Sequence, residues 1–394
     1  MNVLIYSHVF APNVGGVETF VMLLARALLD HERETEKPTE RTRTVTVVTQ
    51  TPRGDFDDGS LPFRVVRCPK LATLWRLLGG ADVVHLAGPA LVALSLAILR
   101  RKPVAIEHHG LQTICPNGQL LYEPTRMPCP GHFMARRYYE CLRCNAPQGT
   151  LRSLRIVLLT FPRRLLSRLA AANIVPTRWL GSILRLPRTT VIYHAVQRHQ
   201  DGNATFSRPS YPPTFAFMGR LVSTKGVSVL LEAANQLKKK GWDFQVKVLG
   251  DGPERHALEA KVDLLGLRDC VDFRGYVPQS LLEQDLTGVA AVVMPSLAGE
   301  VFGLVAAEQM ARGRLLIASD VGGLGEVVGD AGLKVAAGDV TALADCMEKV
   351  LQAPGLITEL GQKARERALS LFCQQRMVGE HVAAYGRLVR PEAP

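Results

Sequence analysis

The chain has 394 residues, 47% hydrophobic and 21% charged, with 34 Gly and 24 Pro, enough for two cored domains of ordinary size. This excludes a disulfide-stapled miniprotein, a collagen-like repeat and a wholly disordered chain, while eight Cys are too sparse for a secreted disulfide scaffold. The net charge of +11 sits in one half: residues 1–206 carry 26 Lys+Arg against 14 Asp+Glu, the remainder 21 against 22, and ten arginines stand between Glu140 and Asp201 with no acid among them.

Met1 to Tyr6 has no basic leader and no small-residue cleavage site, so it reads as a first strand and implies a cytoplasmic, reducing setting. Val17, Phe20, Val21, Leu24 and Leu28 then recur at helical spacing. His31 to Thr44 is polar and of mixed charge, which predicts a solvated loop, and Val45–Thr49 a second strand. The longest apolar run, Val83–Leu99, contains His85, Gly88 and Pro89 and fits a strand and a buried helix better than a membrane span. Val104–His108 is a further strand. The Pro-rich stretch Arg208–Pro213 predicts a linker. A second series of strands follows at 215–218, 244–249, 271–273, 290–294 and 315–318, with Val227, Leu230, Leu231 and Ala234 marking one helix face and Leu343, Met347, Val350 and Leu351 another. The alternation predicts an α/β chain of two Rossmann-like domains with a cleft between them, and ligands at the carboxyl ends of the strands.

Two segments carry most of the chemistry. In Met294 to Glu308 a strand runs into a small-residue loop and a helix is predicted to start near Phe302. The N–H groups of Phe302, Gly303 and Leu304, with the helix dipole, would form an anion site. Glu300 and Glu308 flank it and are placed to accept hydrogen bonds from sugar hydroxyls. Phe217-Met218-Gly219-Arg220-Leu221-Val222-Ser223-Thr224-Lys225-Gly226 ends the first strand of the second series with a glycine turn and two cations at a strand's carboxyl end.

Gly219-Arg220-Leu221…Lys225-Gly226, Gly250-Asp251-Gly252-Pro253-Glu254, Gly275-Tyr276-Val277, Pro295-Ser296 and Glu300-x7-Glu308 occur in an order that resembles retaining glycosyltransferases of the GT-B fold, in particular glycosyltransferase family four. Phe10-Ala11-Pro12-x-x-Gly15-Gly16-x-Glu18 is similar to that family's first-loop signature. The resemblance implies that Arg220 and Lys225 hold the donor's diphosphate, with Gly219 in their turn. Glu300 and the backbone at Phe302, Gly303 and Leu304 would hold the transferred sugar and distal phosphate. Glu308 would bind the ribose, and Gly275, Tyr276 and Val277 would lie near the base. Gly15, Gly16 and Glu18 would lie on the acceptor side, and His109 beside the transferred sugar, with His108 the weaker candidate. Val191-Ile192-Tyr193-His194-Ala195-Val196 lacks the family's usual Asn-Gly, which implies an altered turn.

The expected domains are 1–206, holding a four-cysteine insert at 115–144, and 207–370, with a C-terminal helix at 371–394 crossing back to the first domain. Cys115, Cys129, Cys141 and Cys144 have a spacing that permits a structural zinc; no catalytic metal is expected. Asp55-Phe56-Asp57 is formally D-x-D but reads as a solvated loop. Leu151 to Ala172 combines five arginines with leucine-rich faces, interrupted at Pro162, and fits an anionic membrane surface or a packed helix pair. The expected partners are a UDP or GDP sugar, a glycan, lipid-linked or phosphorylated acceptor, and the inner face of the plasma membrane. No nucleic-acid motif, P-loop or dinucleotide fingerprint accompanies the charge. A catalytically silent GT-B partner subunit and a basic, metal-stapled polyanion-binding module are the alternative readings.

Overall fold

The computed structural model describes residues 1–34, 43–196 and 211–390. Its strands are β1 (Asn2–Ser7), β2 (Thr44–Thr49), β3 (Arg64–Arg67), β4 (Val83–Ala87), β5 (Val104–Glu107), β6 (Leu121–Tyr122), β7 (Met127–Pro128), β8 (Ala172–Val175), β9 (Thr189–Val191), β10 (Thr214–Met218), β11 (Gln245–Leu249), β12 (Val271–Gly275), β13 (Val289–Met294), β14 (Leu316–Ser319) and β15 (Leu333–Val335). The chain divides into two compact units. Unit 1 comprises residues 1–118, 130–195 and 373–394; unit 2 comprises 119–129 and 196–372.

Unit 1 is built on a seven-stranded sheet of order β3-β2-β1-β4-β5-β8-β9, parallel throughout. Parallel strands covered by helices on both faces have no polar side to alternate with, and Val3–Tyr6 and Val83–Leu86 are accordingly buried. The helix Gly16–Glu34 lays Phe20, Val21, Leu24 and Leu28 into this core. It runs four residues into the stretch expected to be loop; 35–42 lie outside the described residues. The last helix, Gln374–Val389, adds Met377, Val378, Ala384 and Tyr385 to the same core.

Unit 2 has a six-stranded sheet of order β12-β11-β10-β13-β14-β15, again parallel, the doubly wound order in which ligands gather where the strand order reverses. Here that point lies between β10 and β13. Residues 119–129, carrying the β6–β7 hairpin, group with this unit although the flanking parts of the cysteine insert do not. Arg126 of the hairpin pairs with Glu254 at 2.8 Å. The linker residues 208–210 and the 206/207 boundary lie outside the described residues.

Besides the β6–β7 hairpin, four short strands of the two sheets, β3, β8, β9 and β15, go beyond the pattern expected from sequence. Each has only three or four residues, too few for a period to declare itself. Thr150–Leu169 is one continuous helix through Pro162 rather than an interrupted pair. Proline frees the carbonyl of residue i−4, here Leu158, a residue on the exposed side of the helix.

Candidate functional site

The loops after β10, β11 and β13 are sewn together by backbone. Gly219 N–H donates to Leu249 O at 3.0 Å, Gly250 N–H to Gly275 O at 2.7 Å, and Leu221 N–H to Asp251 O at 2.9 Å. The approach is so close that a Cβ on Gly250, at φ +141°, would lie 1.9 Å from Gly219 O. Leu297 N–H donates to Thr224 O at 2.8 Å, and a Cβ on Gly226 would lie 2.0 Å from Pro295 O. The segment 219–226 is thereby fixed against 295–298, on either side of the switch point.

This register brings Lys225 to Glu300. Lys225 Nζ is paired with Glu300 Oε1, and Ser296 Oγ donates to the same oxygen at 2.9 Å. Glu300 is 7% exposed, and its own carbonyl accepts from Gly323 N–H at 2.8 Å. Arg220 is exposed beside the pair. The helix after β13 runs Leu304–Ala311 with Gly303 as its cap in a left-handed conformation, two residues later than the sequence suggested. Phe302 is part of the core instead, its ring 5.2 Å from that of Phe372. The helix's first N–H groups lack intrahelical partners and its dipole favours an anion there. Glu308 is half-buried one turn inside; burial pushes its carboxyl up, against the pull of Arg312. Gly275 has φ +68°, Tyr276 is exposed and Val277 half-buried. The Gln119 carbonyl comes to 3.3 Å from where a Cβ on Gly299 would stand. The roles of Thr224 and Gln119 were not read from the sequence, because backbone contacts leave no residue-type signature.

In unit 1, Glu18 lies in the first turn of Gly16–Glu34 and folds back over Gly15, whose Cβ would come within 2.5 Å of its Oε2. His108 is structural. Asn173 Nδ2 donates to Ser167 O and Pro187 O, so its Oδ1 accepts from His108 Nε2 at 2.8 Å. His109 packs against Phe20 and His194, with ring centroids 4.6 and 5.1 Å away. Burial lowers its pKa to about 3, against the charge of Glu107, so it is a neutral imidazole at pH 7.

Behind His109 lies a group that sequence reading missed. Glu107, wholly buried at the end of β5, has His381 Nε2 at 2.9 Å and His85 Nε2 at 3.4 Å from Oε2, and His194 Nε2 at 3.3 Å from Oε1. His85–Glu107–His381 and Glu107–His109–His194 each bring their ligand atoms within 4.8 Å of one another. An acid closing an apolar strand was the one available signal; its partners come from distant segments with no spacing rule. Of the four insert cysteines, Cys115 Sγ donates to Asn117 Oδ1 at 3.0 Å and Asn117 Nδ2 to Cys144 Sγ at 3.6 Å. Cys141 is buried with Phe133 and Val157, and Cys129 belongs to unit 2. Asp57 caps a 3-10 turn by accepting from Gly59 N–H, so the D-x-D is local structure.

The helix Thr150–Leu169 is inverted in its polarity. Beside Val157 it buries Ser153, Thr160 and Ser167, whose hydroxyls donate to Asn145 O, Ile156 O and Arg163 O. It exposes Leu151, Leu154, Leu158, Phe161, Leu165 and Leu169, an i, i+3, i+7 stripe. Among the described residues no helix is long and apolar enough to cross a membrane.

Residues 203–367 match the family described as glycosyl transferases group 1. The 2-deoxystreptamine glucosyltransferase of Streptomyces kanamyceticus is 33% identical over 182 residues, 46% of this chain and 47% of that protein. The chain thus spans about half the length of the curated relatives it matches. Among solved structures, sucrose-phosphate synthase from Thermosynechococcus elongatus superposes with a TM-score of 0.70 at 20% identity, over 99% of this chain and 100% of the other. HepE from Anabaena, in complex with UDP-glucose, gives 0.69 at 16%, over 98% and 99%. The fold is GT-B.

Proposed function

We propose that the chain is a retaining glycosyltransferase moving a hexosyl unit from a nucleoside-diphosphate sugar to an acceptor hydroxyl, in lipid-linked glycan, glycolipid or polysaccharide synthesis. The observation that carries this reading is the Lys225–Glu300 pair, held between two sewn strand-end loops beside a helix start. A diphosphate entering there meets Arg220, Lys225 and the N–H groups from Leu304 onward. Lys225 turns to the phosphate and frees Glu300 to accept hydroxyls of the sugar, while Glu308 accepts from the ribose and Tyr276 lies under the base.

The cations and the helix dipole stabilise the departing diphosphate, which takes up the acceptor's proton on the same face. Because those groups carry the charge, the reading needs no catalytic metal. Neutral His109 donates to or accepts from the transferred sugar, and Gly15, Gly16 and Glu18 serve the acceptor. UDP is the first nucleotide to test, given the ligand of HepE, and GDP the second. The leucine stripe flanked by Arg152, Arg155, Arg163, Arg164 and Arg168 supports docking on the anionic inner face of the plasma membrane, where a lipid-linked acceptor resides. A structural zinc on Cys115, Cys129, Cys141 and Cys144 belongs to the same reading; thiolates suit its chemistry, and it would brace the insert.

The test is a donor panel read by mass spectrometry, with calorimetry of UDP and GDP. Lys225→Ala and Glu300→Ala should each lower turnover by at least a hundredfold while leaving the fold intact. Turnover unchanged from the parent in both variants overturns the assignment. Tight nucleotide binding with no transfer from any donor identifies a silent partner subunit instead.

A further inference from the structure

The polar atoms around Glu107 do not close their own accounts. Tyr385 OH is 2.8 Å from His85 Nδ1. His381 Nδ1 is 2.8 Å from Met377 O, a carbonyl that only accepts, so this nitrogen carries the proton. With both Nδ1 atoms engaged, both Nε2 atoms aim at one carboxylate oxygen, at 3.4 and 2.9 Å. All three side chains are wholly buried. His85 Nε2 has no hydrogen-bond partner among the described residues. A buried polar atom left so asks for an occupant.

We propose that His85 Nε2, His381 Nε2 and Glu107 bind a zinc ion that fastens the last helix, Gln374–Val389, to strands β4 and β5. The separations suit it. Zinc held at about 2.0–2.1 Å by nitrogen and oxygen has ligand atoms about 3.3 Å apart in a tetrahedron, between the two distances seen. The outer partners suit it as well. Metal-bound imidazoles hand their other N–H to a carbonyl or a similar acceptor, which fixes ring and tautomer; the Met377 carbonyl and Tyr385 hydroxyl stand in those positions. Glu107 Oε1 is turned to His194 Nε2 at 3.3 Å, so a water would complete four coordination. The ion's charge offsets a carboxylate that is otherwise costly to bury. Binding displaces any proton shared between His381 and Glu107. This is a structural ion, distinct from any zinc on the cysteines and independent of the sugar-transfer reading.

Metal analysis and X-ray absorption on the full-length protein, purified without chelator, test it together. About one equivalent of zinc in a nitrogen and oxygen shell at about 2.0–2.1 Å is expected, whether or not sulfur-bound zinc at about 2.3 Å is also present. His85→Gln and Glu107→Gln should lose that component by tenfold or more, whereas His256→Gln, an exposed histidine, keeps it. Because the absorption spectrum is taken on the unmodified chain, a variant that fails to fold does not decide the matter. Zinc in a sulfur-only shell overturns the proposal. So does a chain that holds no zinc and takes up none, nor cobalt(II), when these are added.

Discussion

The two units share a parallel, doubly wound sheet but furnish the strand ends in opposite ways. In unit 2, Gly219, Gly250 and Gly275 empty the space beyond β10, β11 and β12, and backbone meets backbone. What remains is a rigid rim of peptide groups with two cations and a glutamate on it. In unit 1 the corresponding region is filled: Glu107, His85, His194 and His381 crowd together with no solvent between them. A place that must admit a ligand is cleared of side chains, while a place that must hold one imidazole still, here His109, is packed with them.

Ending the chain at Phe372 should break this contrast most severely. Unit 1 would lose Met377, Val378, Tyr385 and His381 from its interior, and each large buried side chain is worth about 2–5 kcal/mol against a total stability of about 5–15 kcal/mol. Calorimetry should then show the transition of unit 2 alone; retention of both transitions would mean the last helix is dispensable. Next in size is Gly250→Ala, expected to cost about 2–4 kcal/mol, since backbone rather than a movable side chain must give way. Urea unfolding should place the loss in unit 2 and leave unit 1 unaltered.

Glu308→Gln sharpens the comparison by separating binding from stability. Burial raises the carboxyl pKa of Glu308, so its contribution to stability is fully present below its unfolded pKa and is lost as pH rises through the folded value. The variant should therefore be as stable as the parent or about 1 kcal/mol more stable at pH 7. It should have a flatter pH–stability profile and weaker nucleotide binding. A parent that gains stability as pH rises through this range reverses the sign and refutes the account. Smallest is Leu158→Ser on the inverted helix. Its stability should move by no more than about 0.5 kcal/mol because the side chain is already exposed. Flotation with vesicles containing phosphatidylglycerol should nevertheless fall, and unchanged flotation would remove the stripe from the membrane reading.

What could be read from sequence follows the same division. The strand-end loops of unit 2 are made by neighbours along the chain, so Gly219 to Gly226 and Pro295 to Glu308 announced themselves as motifs. The helix start was misplaced because Phe302 is an apolar residue that serves the core rather than the first turn. The support of His109 was invisible for a different reason: His85, Glu107, His194 and His381 belong to separate segments, joined only by folding. The leucine-rich stretch at 151–169 was legible as amphipathic, but which side faces out was not, since serines and threonines that bond to backbone carbonyls can be buried as readily as leucines.

The insertion of most of unit 2 between β9 and the last helix has a consequence for how the molecule is made. The N–H of Val196 bonds to the carbonyl of Phe372 at 3.0 Å, so departure and return of the chain are tied at one spot. A ribosome adding 5–20 residues per second releases β9, at Thr189–Val191, roughly ten to forty seconds before the helix that begins at Gln374. Throughout that interval the nascent first sheet has an uncovered apolar face where Tyr385 will later sit, while the strands β10–β15 emerge in one run and are free to fold. The portion translated first is the last to mature, and in a crowded cell it is the portion that a chaperone would be called upon to shelter.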